Sequence, residues 1–353
     1  MSLFSGKNNG YLWLGFAVLA LLMNKANAQD FHFSQFDNAP LLLNPAHAGV
    51  FMGEIRGNSI YRKQWSSISG MSADYRTVAA SIDGGLLKRK SKKGNFLGIG
   101  GVFLSDKAGD SHFGTTSFNL IGSWIKSISP LQDQFLSLAG QVGYVQRGVS
   151  AGGLTWDSNW AFDHIDTSIP GEDLLGTFGF FDKSIGAMYF NLRNERRKFH
   201  AGVSINHLLK TNVSFIKTDP YKRKLTLHAG GTFANSASNR VLQPAILITK
   251  QGRQIELTAG TYFKYVMKSA SVRTGLKTET AIAFGVWYRL KDAIIGSVRF
   301  DYNNFNLGLG YDFSLSRITK ANAFLGGPEI SITYTSPAKK TRVAGRYKNV
   351  RYL

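Results

Sequence analysis

The chain of 353 residues contains no cysteine. That absence removes disulfide frameworks, Cys-ligated zinc, thiol nucleophiles and a lipid-bearing N-terminal Cys together. Proline is scarce, at 8 residues, which argues against a disordered or collagen-like chain. Beyond the N-terminus no segment approaches 18 uninterrupted apolar residues, so a helical anchor is excluded while a β-barrel is not. Acid is also short: 22 Asp+Glu stand against 42 Lys+Arg, a formal charge of +20. Such a surplus points to nucleic acid or an anionic surface, and its position along the chain decides between them.

What the chain has in quantity is glycine (38), Phe (25) and Tyr (14), the mark of a Gly- and aromatic-rich β protein. At the N-terminus Lys7 precedes an apolar run from Tyr11 to Met23, and Ala26-Asn27-Ala28 supplies a small-x-small pattern. Residues 1–28 therefore read as a secretory signal peptide, with the mature chain starting near Gln29. The run is too short to span a bilayer as a helix.

The strongest signal is period two. Phe305, Leu307, Leu309, Tyr311 and Phe313 alternate with Asn306, Gly308, Gly310 and Asp312. Ile255, Leu257, Ala259, Phe263 and Tyr265 stand against Glu256, Thr258, Gly260 and Lys264, and Phe199–Ile205 repeats the pattern. Successive strand side chains point to opposite faces, so each segment has one greasy and one polar or glycine face. About fourteen such segments are expected, beginning near Glu54, Tyr75, Asn95, His112, Phe135, Ser184, Phe199, Lys222, Arg240, Gln254, Thr278, Ala293, Asn304 and Glu329. The fold class is then all-β: an antiparallel transmembrane β-barrel of about 14 strands over residues 53–335, with its oily rows on lipid and their neighbours lining the interior. Tyr61, Trp65, Trp124, Trp287, Tyr288 and Tyr334 stand at strand ends, where interfacial girdles fall. A soluble β-sandwich would also alternate, but this many long segments would need more than one, and no linker divides the chain.

With both barrel ends in the periplasm, charge sorts by connection. Inward connections hold Lys88, Arg89, Lys90, Lys92 and Lys93, then Arg193, Arg196, Arg197 and Lys198. A basic tail over 336–353 adds Lys339, Lys340 and Arg342. These are solvated turns and a loose end, or a landing surface for an acidic periplasmic partner. Nucleic acid is not expected as a partner of an exported protein, and no basic helix or base-stacking pattern is visible.

Between the leader and the first strand lies Phe33–Gly49, apolar, with two prolines and neither helical nor strand period. Residues 29–52 are expected as a non-strand segment in the periplasmic mouth or lumen, with Asn44-Pro45 turning the chain toward strand one. Gly98, Gly100, Gly308 and Gly310 fall on the face opposite the apolar one and would leave room there for a plug, a curved wall or a neighbouring aromatic. Inside the barrel, Arg62 is expected to pair with Asp312, Glu329 or both, because closure makes strands one and fourteen neighbours and ionised groups away from water require partners.

Phe33-Ser34-Gln35-Phe36, Leu43-Asn44-Pro45-Ala46-His47-Ala48-Gly49, Tyr61-Arg62-Lys63-Gln64-Trp65 and Ser81-Ile82-Asp83 resemble the N-terminal signature of the PorP/SprF family of type IX secretion system outer-membrane proteins. Ser105–Gly109, Leu154–Ser158, Gly310-Tyr311-Asp312 and Gly326–Ser331 follow in the family's order, so the resemblance covers about residues 30–335. Within it Phe33, Gln35, Asn44, Pro45 and Gly49 carry the N-terminal motif; where members often have Tyr, this chain has His47. The resemblance implies a Bacteroidota outer-membrane barrel serving secretion and gliding. Its implied partners are outer-membrane lipid, a secreted protein or adhesin with a C-terminal sorting domain, and the periplasmic ring and lipoproteins.

For catalysis the seven His (32, 47, 112, 164, 200, 207 and 228) show no metal-ligand spacing, and no G-x-S-x-G elbow is present. His164 beside Asp163, or a lumen-facing His200, is the nearest approach to a base with a nearby Ser. No catalytic, metal or cofactor site is expected. The rival to a secretion component is a passive porin-like solute channel, which requires a lumen open and polar from end to end.

Overall fold

The computed structural model describes residues 30–64, 75–88, 94–109, 113–149, 160–161, 164–165, 176–194, 196–213, 220–234, 238–268, 280–316 and 324–337. Fourteen antiparallel strands close into one barrel. They are β1 (Ile55–Gln64), β2 (Tyr75–Leu86), β3 (Phe96–Ala108), β4 (Phe113–Ser127), β5 (Gln134–Gly148), β6 (Thr177–Asn194) and β7 (Arg197–Asn206). The circuit continues with β8 (Lys224–Ala234), β9 (Arg240–Gln251), β10 (Gln254–Lys268), β11 (Thr280–Arg289), β12 (Ala293–Tyr302), β13 (Phe305–Ser314) and β14 (Leu325–Thr335). β1 pairs with β14 from Arg56↔Thr335 to Arg62↔Glu329, leaving no free edge. Among the described residues no helix is long and apolar enough to cross a membrane.

The alternation sets the faces. Ile255, Phe263, Tyr265, Phe284, Val286, Leu307, Leu309, Ile330 and Ile332 are all exposed on the outside, a belt that lipid must cover. Their neighbours Thr258, Lys264, Asp312, Glu329 and Ser331 are buried inside. One end carries the start of β1 and the finish of β14 together with the pairing of Asn194 with Arg197 and the 303–304 turn; the other carries the finish of β5 and the start of β6. The first end is called inner and the second outer, in keeping with the expected placement of both barrel ends in the periplasm.

Four expectations are corrected. β6 begins at Thr177, seven residues before Ser184, because Phe178 and Phe180 turn inward while Phe181 turns outward, so greasy side chains on both faces erase the period. β14 begins at Leu325, not Glu329: Gly326-Gly327-Pro328 reads as a turn, yet it pairs with β13. A Cβ on Gly327 would sit 2.1 Å from the Lys63 carbonyl oxygen, so the sheet needs glycine there. Trp287 is not a girdle residue. It is 1% exposed and points into the lumen, whereas Tyr61, Trp124, Tyr288 and Tyr334 do face outward; Trp65 lies outside the described residues. Lys198, counted with the inward turns, is buried on the inner face.

Candidate functional site: the filled lumen

Residues 30–53 run through the barrel from the outer mouth to the inner one. The segment is a chain of tight turns: Phe36–Asn38, one helical turn at Pro40–Leu43, and Pro45–His47. Pro40 and Pro45 each open a turn, where a fixed φ is favourable and the missing N–H has no partner to lose. Asn44 caps the last turn, its Oδ1 accepting the Ala46 N–H at 2.9 Å. Gly49 turns the chain with φ +75°, a conformation that L side chains rarely adopt.

At the outer end the segment is held by buried charge. Glu329 accepts the N–H groups of Ser34 (2.8 Å) and Gln35 (2.7 Å), one on each carboxylate oxygen. Asp312 accepts the Ser34 hydroxyl and the Arg62 Nη2–H, each at 2.7 Å, and Arg289 Nη1 lies 3.3 Å from the same oxygen. Arg62 also donates to the His32 carbonyl and stands 4.0 Å from Glu329. Arg62 and Glu329 are each 1% exposed, so this is a dry cluster in which every charge depends on an opposite neighbour. The sequence pairing of Arg62 with Asp312 and Glu329 thus meets a third element, the peptide backbone of the lumen segment, and Arg289, which sequence reasoning missed. Arg289 could have been found by asking which other cation alternates inward near the outer rim.

Lower down, apolar contacts take over. Phe36 packs edge-on against Trp287 at 5.2 Å, in a cluster with Leu247, Tyr262 and Ile295. Phe33 and Ala39 meet Ile60, Ala79 and Leu104. Gln35 lies in a slot left by two glycines: a Cβ at Gly308 would be 2.4 Å from its Oε1 and one at Gly310 2.8 Å from its Nε2. Asn44 donates to the carbonyls of Val203 (3.1 Å) and Ala187 (3.2 Å), and its Oδ1 would lie 2.0 Å from a Cβ at Gly186. Pro45 touches the same glycine.

At the inner end, Ser137 donates to the Ala46 carbonyl and Ser123 to that of Ala48, both at 2.7 Å. Gly49 donates to Asp83 at 2.8 Å, and Arg56 closes on both oxygens of that carboxylate at 2.9 Å. Lys88 is a correction to the basic surface: it bends onto the Gly49 and Phe51 carbonyls and stands over the Phe51 ring at 5.2 Å. Burial pushes its ammonium down to about 8, with Arg56 adding to that and Asp83 opposing it. Arg196 and Arg197 are exposed at the inner rim. Arg89, Lys90, Lys92, Lys93, Lys339, Lys340, Arg342 and the 1–28 leader lie outside the described residues.

The first residue of the segment has its own anchor. His207 sits between two carboxylates, Nε2 2.6 Å from Asp30 and Nδ1 2.7 Å from Asp182, with the Tyr221 ring stacked on it at 3.7 Å. Tyr221 donates to Asp30 at 3.0 Å. Burial opposes the imidazolium, but Asp30 and Asp182 together outweigh it and hold the pKa up to about 9. A raised cationic pKa contributes stability in full below the unfolded value of about 6.5 and loses it as pH rises through about 9. The thermal midpoint is therefore expected to fall between pH 7 and pH 10, with up to about 3 kcal/mol at stake. His207→Gln should flatten that fall. An equal fall in both proteins would refute the anchor.

His200 lies among the rings of His47, Phe190 and His228, at 6.2 to 6.3 Å. The His164 side chain lies outside the described residues, and among the described residues no group of three or more His, Asp or Glu could hold a metal ion. A cavity of about 80 Å³ remains between the segment and the β8–β10 wall. Another, of about 340 Å³, opens at the outer mouth beside Arg289, Asp292 and Asp312.

A family model described as type IX secretion system membrane protein PorP/SprF matches residues 25–334. No curated protein matches the chain. Among solved structures, the Ralstonia pickettii toluene transporter TbuX is similar over 84% of this chain and 92% of its own, at 9% identity and a TM-score of 0.48. A Pseudomonas aeruginosa FadL homologue is similar over 82% and 92%, at 10% identity and 0.44. The translocator domain of the autotransporter NalP from Neisseria meningitidis is similar over 80% and 88%, at 9% identity and 0.32.

Proposed function

Because this chain belongs to the PorP/SprF family of type IX secretion system membrane proteins, we propose that it is a plugged, non-enzymatic outer-membrane component that binds proteins at its rims instead of passing solutes. The observation that carries this reading is the lumen segment. Residues 30–53 contact the wall at the outer mouth, the middle and the inner mouth, through the Glu329 cluster, the Asn44 turn and the Asp83 cluster. A solute path would have to break buried ion pairs at both ends, and their desolvated charges make that costly. The motif residues Phe33, Gln35, Asn44, Pro45 and Gly49 serve as the plug's own contacts. In this reading the buried cluster of Arg62, Asp312 and Glu329 is a lock on the plug, not a ligand site.

Family membership supports an association with the secretion machinery, and the partners of this reading are proposed on that basis. They are a secreted protein or adhesin bearing a C-terminal sorting domain, and the periplasmic ring and lipoproteins of the secretion and gliding machinery of a Bacteroidota cell. Arg196 and Arg197 support a basic inner rim suited to an acidic periplasmic partner, extended by Arg89, Lys90, Lys92, Lys93 and the 336–353 tail. Export through a signal peptide cleaved near Gln29 would leave the plug as the first part of the mature chain.

In a planar bilayer the purified protein is expected to be silent, while a variant lacking residues 30–48 shows steady open conductance. Affinity capture from native membranes should bring down a sorting-domain protein or a ring component. Steady conductance by the intact protein would overturn the plugged reading in favour of the passive channel.

A further inference from the structure

Three imidazoles meet at the middle of the lumen. His200 on β7 and His228 on β8 point inward from neighbouring strands, each ring lying over a glycine of the other strand. A Cβ at Gly230 would be 2.7 Å from His200 Cε1, and one at Gly202 2.4 Å from His228 Nε2. His47, on the last turn of the lumen segment, stacks on His228 with centroids 5.5 Å apart and planes at 24°. Asn44 fixes the protonation of His228. Its Oδ1 accepts the Ala46 N–H, so its amide nitrogen is the atom 3.1 Å from His228 Nε2. That ring nitrogen must therefore be a bare acceptor, and a proton added there would set donor against donor. His47 Nε2 is buried with no hydrogen-bond partner, so a proton gained there meets no acceptor. Against the same turn β4, β5 and β6 press Ser123, Ile125, Ser137, Met188 and Phe190, none of which titrates near neutrality. Among the described residues the outside charge that bears on the rings is Arg56 on β1, a cation. Lys198, two residues from His200 on the same face of β7, and Lys88, at the Gly49 carbonyl, are cations too. Asp83 on β2 is occupied by Arg56 and the Gly49 N–H.

We propose that His47, His200 and His228 form an acid-operated latch on the lumen segment: their protonation expels the turn from Asn44 to His47 and opens the barrel. This rests on the plugged reading above. With the segment seated, charging the trio breaks the Asn44 contact, strands a donor on His47 and places like charges 5.5 to 6.3 Å apart among cations. With the segment released, water reaches the rings and each takes a proton near pH 6.5, about the ordinary imidazole value. The released state then binds more protons than the seated one, so seating weakens as pH falls below about 6.5. Each proton taken up on release raises the open-to-closed ratio about tenfold per pH unit, and three rings set the limit at about three protons. The carboxylate clusters at the two mouths also weaken in acid, so histidine variants, not the acid response alone, carry the test.

Planar-bilayer recording of the full-length protein between pH 7.5 and pH 5 tests this. The intact protein should be silent at pH 7.5 and open at pH 5, its open probability rising at least a hundredfold with a slope of more than one proton. His228→Gln keeps an acceptor for Asn44 but takes no charge, and should lose about one proton from that slope. The variant His47→Gln/His200→Gln/His228→Gln should stay closed at pH 5. An intact protein silent throughout, or a triple variant that opens as the intact protein does, would overturn the latch while leaving the plug in place. Conductance at pH 7.5 would overturn the plugged reading and the latch with it. Should the variants fail to accumulate, amide hydrogen exchange on the intact protein, corrected for the intrinsic effect of pH, decides. Residues 44–50 should lose at least tenfold in protection, and at a higher pH than residues 33–35, which the Glu329 cluster holds. Loss that begins at residues 33–35, or undiminished protection at 44–50, would overturn the latch.

Discussion

Gly98→Val is expected to unseat the lumen segment and destabilise the barrel by about 3 kcal/mol, the upper part of the usual penalty for overpacking. A Cβ at position 98 would lie 2.2 Å from the Ala48 carbonyl oxygen and 2.3 Å from Ser123 Oγ. Those two atoms are themselves hydrogen-bonded at 2.7 Å, so neither can retreat without breaking the other's contact. The obstructing atom at position 48 is backbone, and backbone cannot rotate aside as a long side chain would. Gly49, next in the chain, would be displaced too, since its own Cα region already abuts Gly98 and the carbonyl of Gly84. The matched control is Gly101→Val. Gly101 is on the lipid-facing side of the same strand, where a Cβ would meet only the Asn119 carbonyl at 4.0 Å. Urea unfolding in liposomes should separate the two variants clearly, and single-channel recording should show conductance in Gly98→Val alone. Equal stability of both variants would mean that the segment does not rest on this wall.

How the glycines were readable, and how far, says what a sequence of this class can disclose. The outward face was legible because lipid imposes one rule on every second residue, and Leu307, Leu309, Ile330 and Ile332 obey it without exception. The polar face obeys no such rule, since its partners come from a different part of the chain. Gly98 and Gly308 could be assigned to the inside, but which atoms filled their place depended on how residues 30–53 thread the lumen. Trp287 shows the same limit. As a strand-end aromatic it read as girdle, yet Phe36 gives it an apolar partner inside the barrel. Lys88 looked like one of five turn cations until the Gly49 and Phe51 carbonyls converged on it. The Arg62 cluster was more legible because a buried charge must have a partner and barrel closure left few choices. Its tie to the backbone of Ser34 and Gln35 was not, because main-chain donors leave no mark on composition.

Asp312→Ala is expected to have the largest effect of any single change, about 3–5 kcal/mol, because it leaves two buried guanidinium groups with their shared acceptor gone. Arg62 Nη2 and Arg289 Nη1 both point at the same Asp312 oxygen, at 2.7 and 3.3 Å, and the Ser34 hydroxyl donates to it as well. Arg289 retains Asp292 and Glu256, at 3.1 and 3.6 Å, whereas among the described residues Arg62 retains the 4.0 Å contact with Glu329 and the His32 carbonyl. The damage should therefore fall on Arg62 and on the Ser34–Gln35 end of the plug. Replacing both partners, Arg62→Met with Asp312→Leu, removes the stranded guanidinium and should recover part of the lost stability, Glu329 keeping its two backbone N–H donors while losing its cation. Recovery of stability without recovery of partner capture would locate the role of the cluster in holding the plug's outer end for recognition. Recovery of both would make it a structural lock and nothing more. If Asp312→Ala unfolds at the same urea concentration as the unaltered protein, the cluster does not hold the segment at all, and the plugged barrel would have to be explained from its apolar contacts.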